Sequence, residues 1–304
     1  MDALFGKESQ SMNQYISFTE ENTGIVKRGR PFIKMHGLRN DFIIVDGRRE
    51  PFRPSAEEIV RLCDRHEGVG GDELLIVNPP RSVPESAEAY AFVQIFNPDG
   101  RQVEACGNAT RCVGWLFLQE SQGEEVVVDT VGGLLKCHRA GEKQVTVEMG
   151  KLRTAWQDIP LARAMDTLHL DIGAGPLQDP VGMNIGNPHA VFFVGDLDTV
   201  DMDVLGPQLQ IHPLFPEEAN IGAAQLIDSK TLKLSVWERP GVLTTACGTG
   251  ACVAVGAAHR RGLTAEKQMT VIMPAGSVEI ELREDDTVVM TGPVEVCYTG
   301  YLPG

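Results

Sequence analysis

Two short stretches constrain the folding of this chain more than any others. Ala246-Cys247-Gly248-Thr249-Gly250-Ala251-Cys252 runs on into Val253, Ala254, Val255, Gly256, Ala257 and Ala258. A matching stretch, Ala105-Cys106-Gly107-Asn108-Ala109-Thr110-Arg111-Cys112, places its first cysteine 141 residues upstream of Cys247. A helix of such small residues is apolar on most faces and needs burial all round. In each half, strands lead to a polar turn and an Ala-Cys-Gly, and a β-meander follows. The pattern implies an internal duplication in which each half wraps a sheet around one small-residue helix. The spacing is too long for a solenoid.

The local signals fit this scheme. Strands are expected at 32–35 and 42–46 around a turn at 36–41. Ser55-Ala56-Glu57-Glu58 is a capping box for a helix carrying Ile59, Val60, Leu62 and Cys63. A tight turn at 68–73 leads to a strand at 74–77, and 78–89 reads as a surface loop. Asn97-Pro98-Asp99-Gly100 is a type I turn signal after a strand at 90–96. A helix from Gly107 to about Leu118 and strands at 125–130, 134–138 and 144–148 complete the first half. Residues 149–167 read as a crossing. The second half calls for a weak strand at 168–171 and stronger ones at 181–185 and 190–194. A short acidic helix follows near 201–210, then strands at 222–227 and 231–237. A short loop leads to the Cys247 helix, and strands at 268–273, 277–282, 287–290 and 294–298 end the chain.

Bulk properties narrow the function. The chain has 304 residues and a net charge of −15, with no cluster of Lys and Arg. Phosphate backbones demand such clusters, so nucleic acid is excluded as a partner, and an anionic membrane surface is disfavoured. No apolar run approaches ~18 residues, so no membrane span is expected. Residues 1–30 are polar, lack a signal-peptide core and read as a disordered extension. The seven cysteines form no CxxC pair, which suits a reducing cytoplasm better than a disulfide framework.

The repeated cysteines suggest the chemistry. A helix N-terminus supplies N–H donors and dipole charge that favour a thiolate. The amides of Gly107, Asn108, Gly248 and Thr249 form nests suited to a carboxylate. If the two stretches face each other, they grip one α-carboxylate with a thiol on each face of its α-carbon. That arrangement suits racemisation: one thiolate removes the α-proton and the opposite thiol returns one. A lone cysteine at a helix start is more often a small buried residue; it is the repeat that argues for function. Cys112 and Cys252, inside their helices, read as core, and Cys63, Cys137 and Cys297 as structural.

Six motifs in order carry a family resemblance: Lys34-Met35-His36-Gly37-Leu38-Arg39-Asn40-Asp41-Phe42, Phe96-Asn97-Pro98-Asp99-Gly100, the Cys106 stretch, Gly186-Asn187-Pro188-His189, Glu238-Arg239 and the Cys247 stretch. Over residues 31–301 the chain resembles the diaminopimelate epimerases. The resemblance implies an α/β (α+β) fold of two pseudo-symmetric domains, each a mixed β-sheet closing around a central helix. The halves are then 31–148 with about 293–304, and 149–292. It further implies cofactor-independent epimerisation of LL- to meso-2,6-diaminopimelate in lysine biosynthesis, without a metal. Cys106 and Cys247 are the acid/base thiols, with the second abstracting from the LL-isomer. His189 and Glu238 tune their pKa values. Asn40, Glu73, Asn97, Asn187, Asn220, Glu238 and Arg239 bind substrate, and the amides of Gly107, Asn108, Gly248 and Thr249 hold the reacting carboxylate. The partner is this small molecule, the location cytoplasmic, and a homodimer is compatible with the resemblance.

Taken alone, several of these residues have plainer readings. Asn40, Asn97 and Asn187 suit turns, His189 a buried core position, and Glu238-Arg239 a surface ion pair. The chain also departs from the family pattern. Glu73 stands where glutamine is common, and Pro240, Val242 and Leu243 replace the usual residues between Arg239 and Thr244. The first puts the substrate contact of Glu73 in question, and the second the setting of Arg239. Rival readings are a proline or hydroxyproline racemase-type enzyme of the same fold, a thiol redox sensor cycling Cys106 and Cys247, and a non-catalytic carboxylate binder.

Overall fold

The computed structural model describes residues 29–302 other than Ala105 and Pro240. The expected N-terminal extension therefore lies almost wholly outside the described residues, as does the proline substitution in the Arg239 loop. Two compact units result. One contains the chain up to Val147 and again from Pro293; the other is Glu148–Gly292.

In the first unit β1 (Pro31–Gly37), β2 (Asn40–Asp46), α1 (Ala56–Cys63), β3 (Glu73–Asn78), β4 (Ala91–Phe96), β5 (Gln102–Val103), α2 (Gly107–Ser121), β6 (Glu125–Thr130), β7 (Gly133–Gly141) and β8 (Gln144–Lys151) follow in order. After a two-residue-strand hairpin, β9 (Gly173–Ala174) with β10 (Leu177–Gln178), the second unit runs β11 (Val181–Asn184), β12 (Pro188–Phe193), α3 (Met202–Gln210), β13 (Asn220–Asp228), β14 (Thr231–Glu238), β15 (Val242–Thr244), α4 (Gly248–Arg260), β16 (Gln268–Met273), β17 (Gly276–Leu282) and β18 (Thr287–Pro293). The last strand, β19 (Glu295–Tyr301), pairs antiparallel with β1.

The duplication is written in the pairing. In the first unit β1–β2 is antiparallel, β2–β3 parallel, β3–β4 antiparallel and β4–β6 parallel, with β5 antiparallel to β4; β6–β7 and β7–β8 are antiparallel. The strands β11 to β18 repeat this in the same order, as far as β17–β18. A parallel pair cannot be closed by a hairpin and needs a crossover, usually a helix. Helices α1 and α3 make the first crossover of each unit, and α2 and α4 the second. The mixed α/β class therefore follows from two parallel joints per half.

The second crossover helix is the enclosed one. Helix α2 packs on β1, β6 and β7, and α4 on β11 to β14, β16 and β17. Every residue of α4 from Gly250 to Ala258 is buried. Glycine permits this close approach: a Cβ built on Gly114 would lie 2.7 Å from Cys137 Sγ. Helix α1 behaves differently. Ser55 caps it, its side chain accepting from the Glu58 N–H while Glu58 accepts from Ser55, and only one face, with Ile59, Leu62 and Cys63, is buried.

Several expectations need correction. Residues 168–171 form no strand; Leu170 is buried, its N–H donating to the Pro180 carbonyl at 3.0 Å. The short loop before Cys247 contains β15. The wide turn at 36–41 narrows to Leu38 and Arg39, both left-handed at φ 54° and 63°, so that a two-residue loop fits the strand twist. Neither left-handed position is a glycine; buried Leu38 anchors the turn. Cys297 is exposed, so it is not a packing residue, whereas Cys63, Cys112, Cys137 and Cys252 are buried. Arg111 lies fully buried within α2, so that helix is less uniformly apolar than its composition suggests. Among the described residues no helix is long and apolar enough to cross a membrane.

Gly114→Ala tests the enclosure. Helix propensity favours alanine by about 1 kcal/mol, but the added methyl must displace a buried sulfur. Denaturant unfolding is expected to show a loss of about 1–3 kcal/mol; a gain would mean that α2 is loosely held.

Candidate active site

Each unit presents a cysteine as the N-cap of its enclosed helix. Both caps are extended: Cys106 at φ −142° and ψ 117°, Cys247 at φ −122° and ψ 106°. Each carbonyl accepts the first helical bond, from Thr110 at 2.9 Å and from Ala251 at 3.0 Å. The amides of the next two residues, Gly107 and Asn108 or Gly248 and Thr249, fall in the first turn, where no intrahelical acceptor exists. They are the donors expected for a carboxylate.

The first unit gathers Asn40, Cys106 and Asn108. Asn40 opens β2 directly after the left-handed turn. Its Oδ1 accepts from Asn108 Nδ2 at 3.1 Å and lies 3.7 Å from Cys106 Sγ. Asn108 Oδ1 in turn accepts from the Arg111 guanidinium at 2.8 Å, and the bare backbone of Gly37 leaves room for that group. On its other side Asn40 Nδ2 donates to Asp72 at 3.1 Å. Glu73 is the first residue of β3, half-buried and in register with Phe42. Asn97 lies in the same sheet: it follows Phe96, the partner of Leu74 in β3, and heads a turn closed by the Gly100 N–H at 2.9 Å; no bond joins its side chain to Asn40, Cys106 or Asn108 among the described contacts.

The second unit gathers more. Cys247 Sγ accepts the Gly250 N–H at 3.3 Å and lies 3.5 Å from Thr249 Oγ1. The Glu238 carboxylate, which accepts from Thr244 Oγ1 at 2.6 Å, lies close enough to this thiol to act on its proton. His189 is fully buried, with Nε2 3.0 Å from Asn187 Oδ1, 3.1 Å from Thr249 Oγ1 and 3.3 Å from Asn220 Nδ2. Asn220 Oδ1 accepts the backbone N–H of Arg239 at 2.9 Å, and the Arg239 guanidinium donates to the Glu217 carbonyl at 2.7 Å. One network thus joins Asn187, His189, Asn220, Arg239, Cys247 and Thr249, with Glu238 beside the thiol.

Electrostatics reverses one expectation. The helix start was expected to favour the thiolate of Cys247. Burial pushes this thiol well above its usual range instead, and the Glu238 carboxylate beside it pushes the same way against the Thr249 and Gly250 donors. Burial also raises the Glu238 carboxyl, opposed by its bond from Thr244 and by Cys247. Burial holds His189 down at about 3, with the Arg239 charge adding to the effect. His189 is therefore a neutral ring that reaches the sulfur only through Thr249.

Sequence reasoning missed Thr244, Asp72 and Arg111, and valued Thr249 for its amide but not its hydroxyl. Thr244 carried a signal, as the polar end of a strand leading to the cysteine. Asp72 sat in a turn-like Gly-Gly-Asp, which disguised it.

Comparison with known proteins bears on this geometry. The model of the diaminopimelate epimerase family matches residues 32–155 and 181–297. The diaminopimelate epimerase of Rhodospirillum centenum is 46% identical over 273 residues, covering 90% of this chain and 92% of its own. That of Phenylobacterium zucineum is 46% identical over 279 residues, covering 90% and 98%. Among solved structures, a hydroxyproline epimerase from Agrobacterium vitis superposes with a TM-score of 0.65 at 16% identity, covering 91% of this chain and 93% of its own. A Bacillus anthracis phenazine biosynthesis protein of the PhzF family superposes with a TM-score of 0.64 at 16% identity, covering 90% and 99%. These two share the fold.

Two outcomes test the electrostatics. Glu238→Gln removes the neighbouring negative charge, so the pH midpoint for alkylation of Cys247 is expected to fall; an unchanged or higher midpoint would remove the carboxylate as a cause. The His189 ring signals are expected to stay flat in NMR from pH 8 to about 4. Its folded pKa lies below the unfolded value, so the unfolded state takes up the proton first. Stability is accordingly expected to decline as pH falls below about 6.5, and less steeply in His189→Gln.

Proposed function

The chain belongs to the diaminopimelate epimerase family, and from that premise we propose that it epimerises LL- and meso-2,6-diaminopimelate with Cys106 and Cys247 as acid and base. It is an isomerase, and its reaction belongs to lysine biosynthesis. The observation that carries the two-thiol reading is the repeat itself: topologically equivalent crossover helices each begin on a cysteine with two open amides behind it.

The reaction needs one thiol on each face of the α-carbon. With the LL-isomer, Cys247 first passes its thiol proton to Glu238, whose raised carboxyl is a better acceptor than an ordinary glutamate. The thiolate then takes the α-proton. The electron pair of the broken C–H bond delocalises into the carboxylate, where the first-turn amides meet the growing charge. Cys106 S–H delivers its proton to the opposite face, and the product leaves with the other configuration. Cys106 is then the thiolate, Cys247 the thiol and Glu238 the holder of the first proton, a state ready for the reverse direction; loss of that proton from Glu238 and uptake of one by Cys106 from solvent reset the forward one. No step calls for a cofactor.

Asn40, Glu73, Asn97, Asn187, Asn220 and Arg239 would recognise the rest of the substrate. Asn220 has both ends of its amide engaged, but each end keeps capacity for one more bond. Arg239 would exchange the Glu217 carbonyl for the distal carboxylate, which it can hold in two bonds. Two thiols that must stay reduced suit the cytoplasm.

Incubation with LL-diaminopimelate in D₂O is the decisive measurement. Wild type is expected to place deuterium at the α-carbon as it forms the meso isomer. Cys106→Ala and Cys247→Ala are each expected to lose at least about a hundredfold in turnover, the usual scale of an acid or base group. Full turnover by either variant would sink the two-thiol mechanism.

A further inference from the structure

Asp72 lies outside every role assigned above, yet the Cys106 half-site hangs from it. Its Oδ2 accepts the Asn40 side-chain amide at 3.1 Å and the Asp41 backbone N–H at 3.0 Å. Its Oδ1 accepts from Arg65 at 2.8 Å. A carboxylate can only accept, so the NH₂ of Asn40 must face Asp72. The Asn40 oxygen is thereby turned toward Asn108 Nδ2 and Cys106 Sγ, at 3.1 and 3.7 Å. Asn108 must then present its own oxygen to Arg111, at 2.8 Å, and a guanidinium can only donate. With an acceptor-only group at one end and a donor-only group at the other, the two amides between them have one allowed orientation. An amide is otherwise free to turn over at little cost in shape.

The anchor is itself held. Arg65 bridges Asp72 to Asp41, at 2.6 Å from the latter, and Lys34, buried beside them, pairs with Asp41 at 2.5 Å. These partners hold the Asp41 carboxyl far below the usual range although burial acts the other way. The charged groups on the elements carrying this chain of bonds are Lys34 on β1, Asp41 and Asp46 on β2, Arg65 after α1, Asp72 just before β3 and Glu73 at its start, and Arg111 and Glu120 on α2; Asp46 and Glu120 are both engaged by Arg48. Glu104 precedes the cysteine in sequence and is exposed.

We infer that Asp72 is a positioning residue for Cys106: by taking the Asn40 N–H it aims the Asn40 carbonyl oxygen at the sulfur and holds Cys106 as a hydrogen-bond donor. A thiol can donate to that oxygen and a thiolate cannot, so the arrangement favours the protonated form. The catalytic meaning rests on Cys106 being one of the two acid/base thiols, for which it supplies a resting acid. Without Asp72 the Asn40 amide can turn and offer N–H to the sulfur, which favours the thiolate.

The test reads Cys106 directly, without substrate. Iodoacetamide labelling across pH is followed peptide by peptide by mass spectrometry, with exposed Cys297 as reference and buried Cys112 and Cys137 as reporters of an intact fold. Asp72→Ala is expected to lower the Cys106 midpoint by roughly one pH unit, the scale of one hydrogen bond. In an Asn40→Ala background the same Asp72→Ala change is expected to move it by less than a third of that. An equal shift in both backgrounds would show that Asp72 acts by its charge alone and overturns the inference, as would no shift in either. If Cys112 and Cys137 become reactive in the variant, the wild type decides by NMR. The Asn40 NH₂ protons are expected to show contacts to the Asp72 Hβ protons, and contacts to the Cys106 Hβ protons instead overturn the inference. The two claims separate cleanly. The predicted midpoints in a protein that exchanges no α-deuterium would defeat the two-thiol reaction and leave the positioning standing; exchange with an unmoved Cys106 midpoint would defeat the positioning alone.

Discussion

The burial of the Cys247 thiol against the Glu238 carboxylate governs the second unit. Helix α4 has no polar face, so sheet strands must surround it, and its first residues are enclosed along with the rest. A helix N-terminus offers an anion about 0.3–1 kcal/mol at an exposed site. Removing a charge from water costs several kcal/mol before compensation. With a carboxylate alongside as well, the larger effect wins and the sulfur keeps its proton. The composition that makes the helix demand burial is thus also what fixes the resting state of its cysteine.

The same enclosure explains His189. Its Nε2 meets Asn187, Thr249 and Asn220, all neutral, and the cationic Arg239 further disfavours a charged ring. A buried imidazolium would need an anion, and these neighbours supply none, so the ring stays neutral. Its value is then geometric. It ties the Asn187 turn, the start of β13 and the first turn of α4 together, and Asn220 carries the tie on to the Arg239 backbone. A neutral ring can hold this set fixed over the whole pH range in which a thiol pair could work.

What could be read from the chain divides by range. Signals that live within a few residues were legible: the Ser55 capping box, the Asn97 turn, the two cysteine caps, and the order of elements that revealed the duplication. Signals that depend on partners far along the chain were not. Arg111 looks like a surface residue until Asn108 and Gly37 enclose it. Asp72 looks like a turn residue until the hairpin brings Asn40 to it across 32 positions. The left-handed Leu38-Arg39 turn lacks the usual glycine because burial of Leu38 does the work of backbone preference. The sign of the Cys247 shift was misread for the same reason: the dipole is local and visible in sequence, whereas desolvation is a property of everything packed around the sulfur. The family resemblance named Asn187, His189, Asn220 and Glu238, but only the fold shows that the first three form one bonded set.

The two units repeat each other strand for strand, yet their cysteines sit in unlike chemistry. Cys247 has a carboxylate and a hydroxyl at its sulfur, whereas Cys106 has the oxygen of a fixed amide. A strict repeat would have given the thiols one environment and one titration, and interacting groups of that kind lose their protons as a pair. Proton transfer across an α-carbon needs the opposite: one sulfur empty and the other filled at the same moment and the same pH. Glu238 can take a proton from Cys247, since a carboxyl with a raised pKa is a workable acceptor. The Asn40 oxygen can take none from Cys106, since an amide is not a base in this range. The contacts at the two sulfurs therefore differ in kind: a carboxylate beside one and an amide oxygen beside the other. Duplication supplied the two caps, and divergence of the residues touching the sulfurs supplied the difference between them.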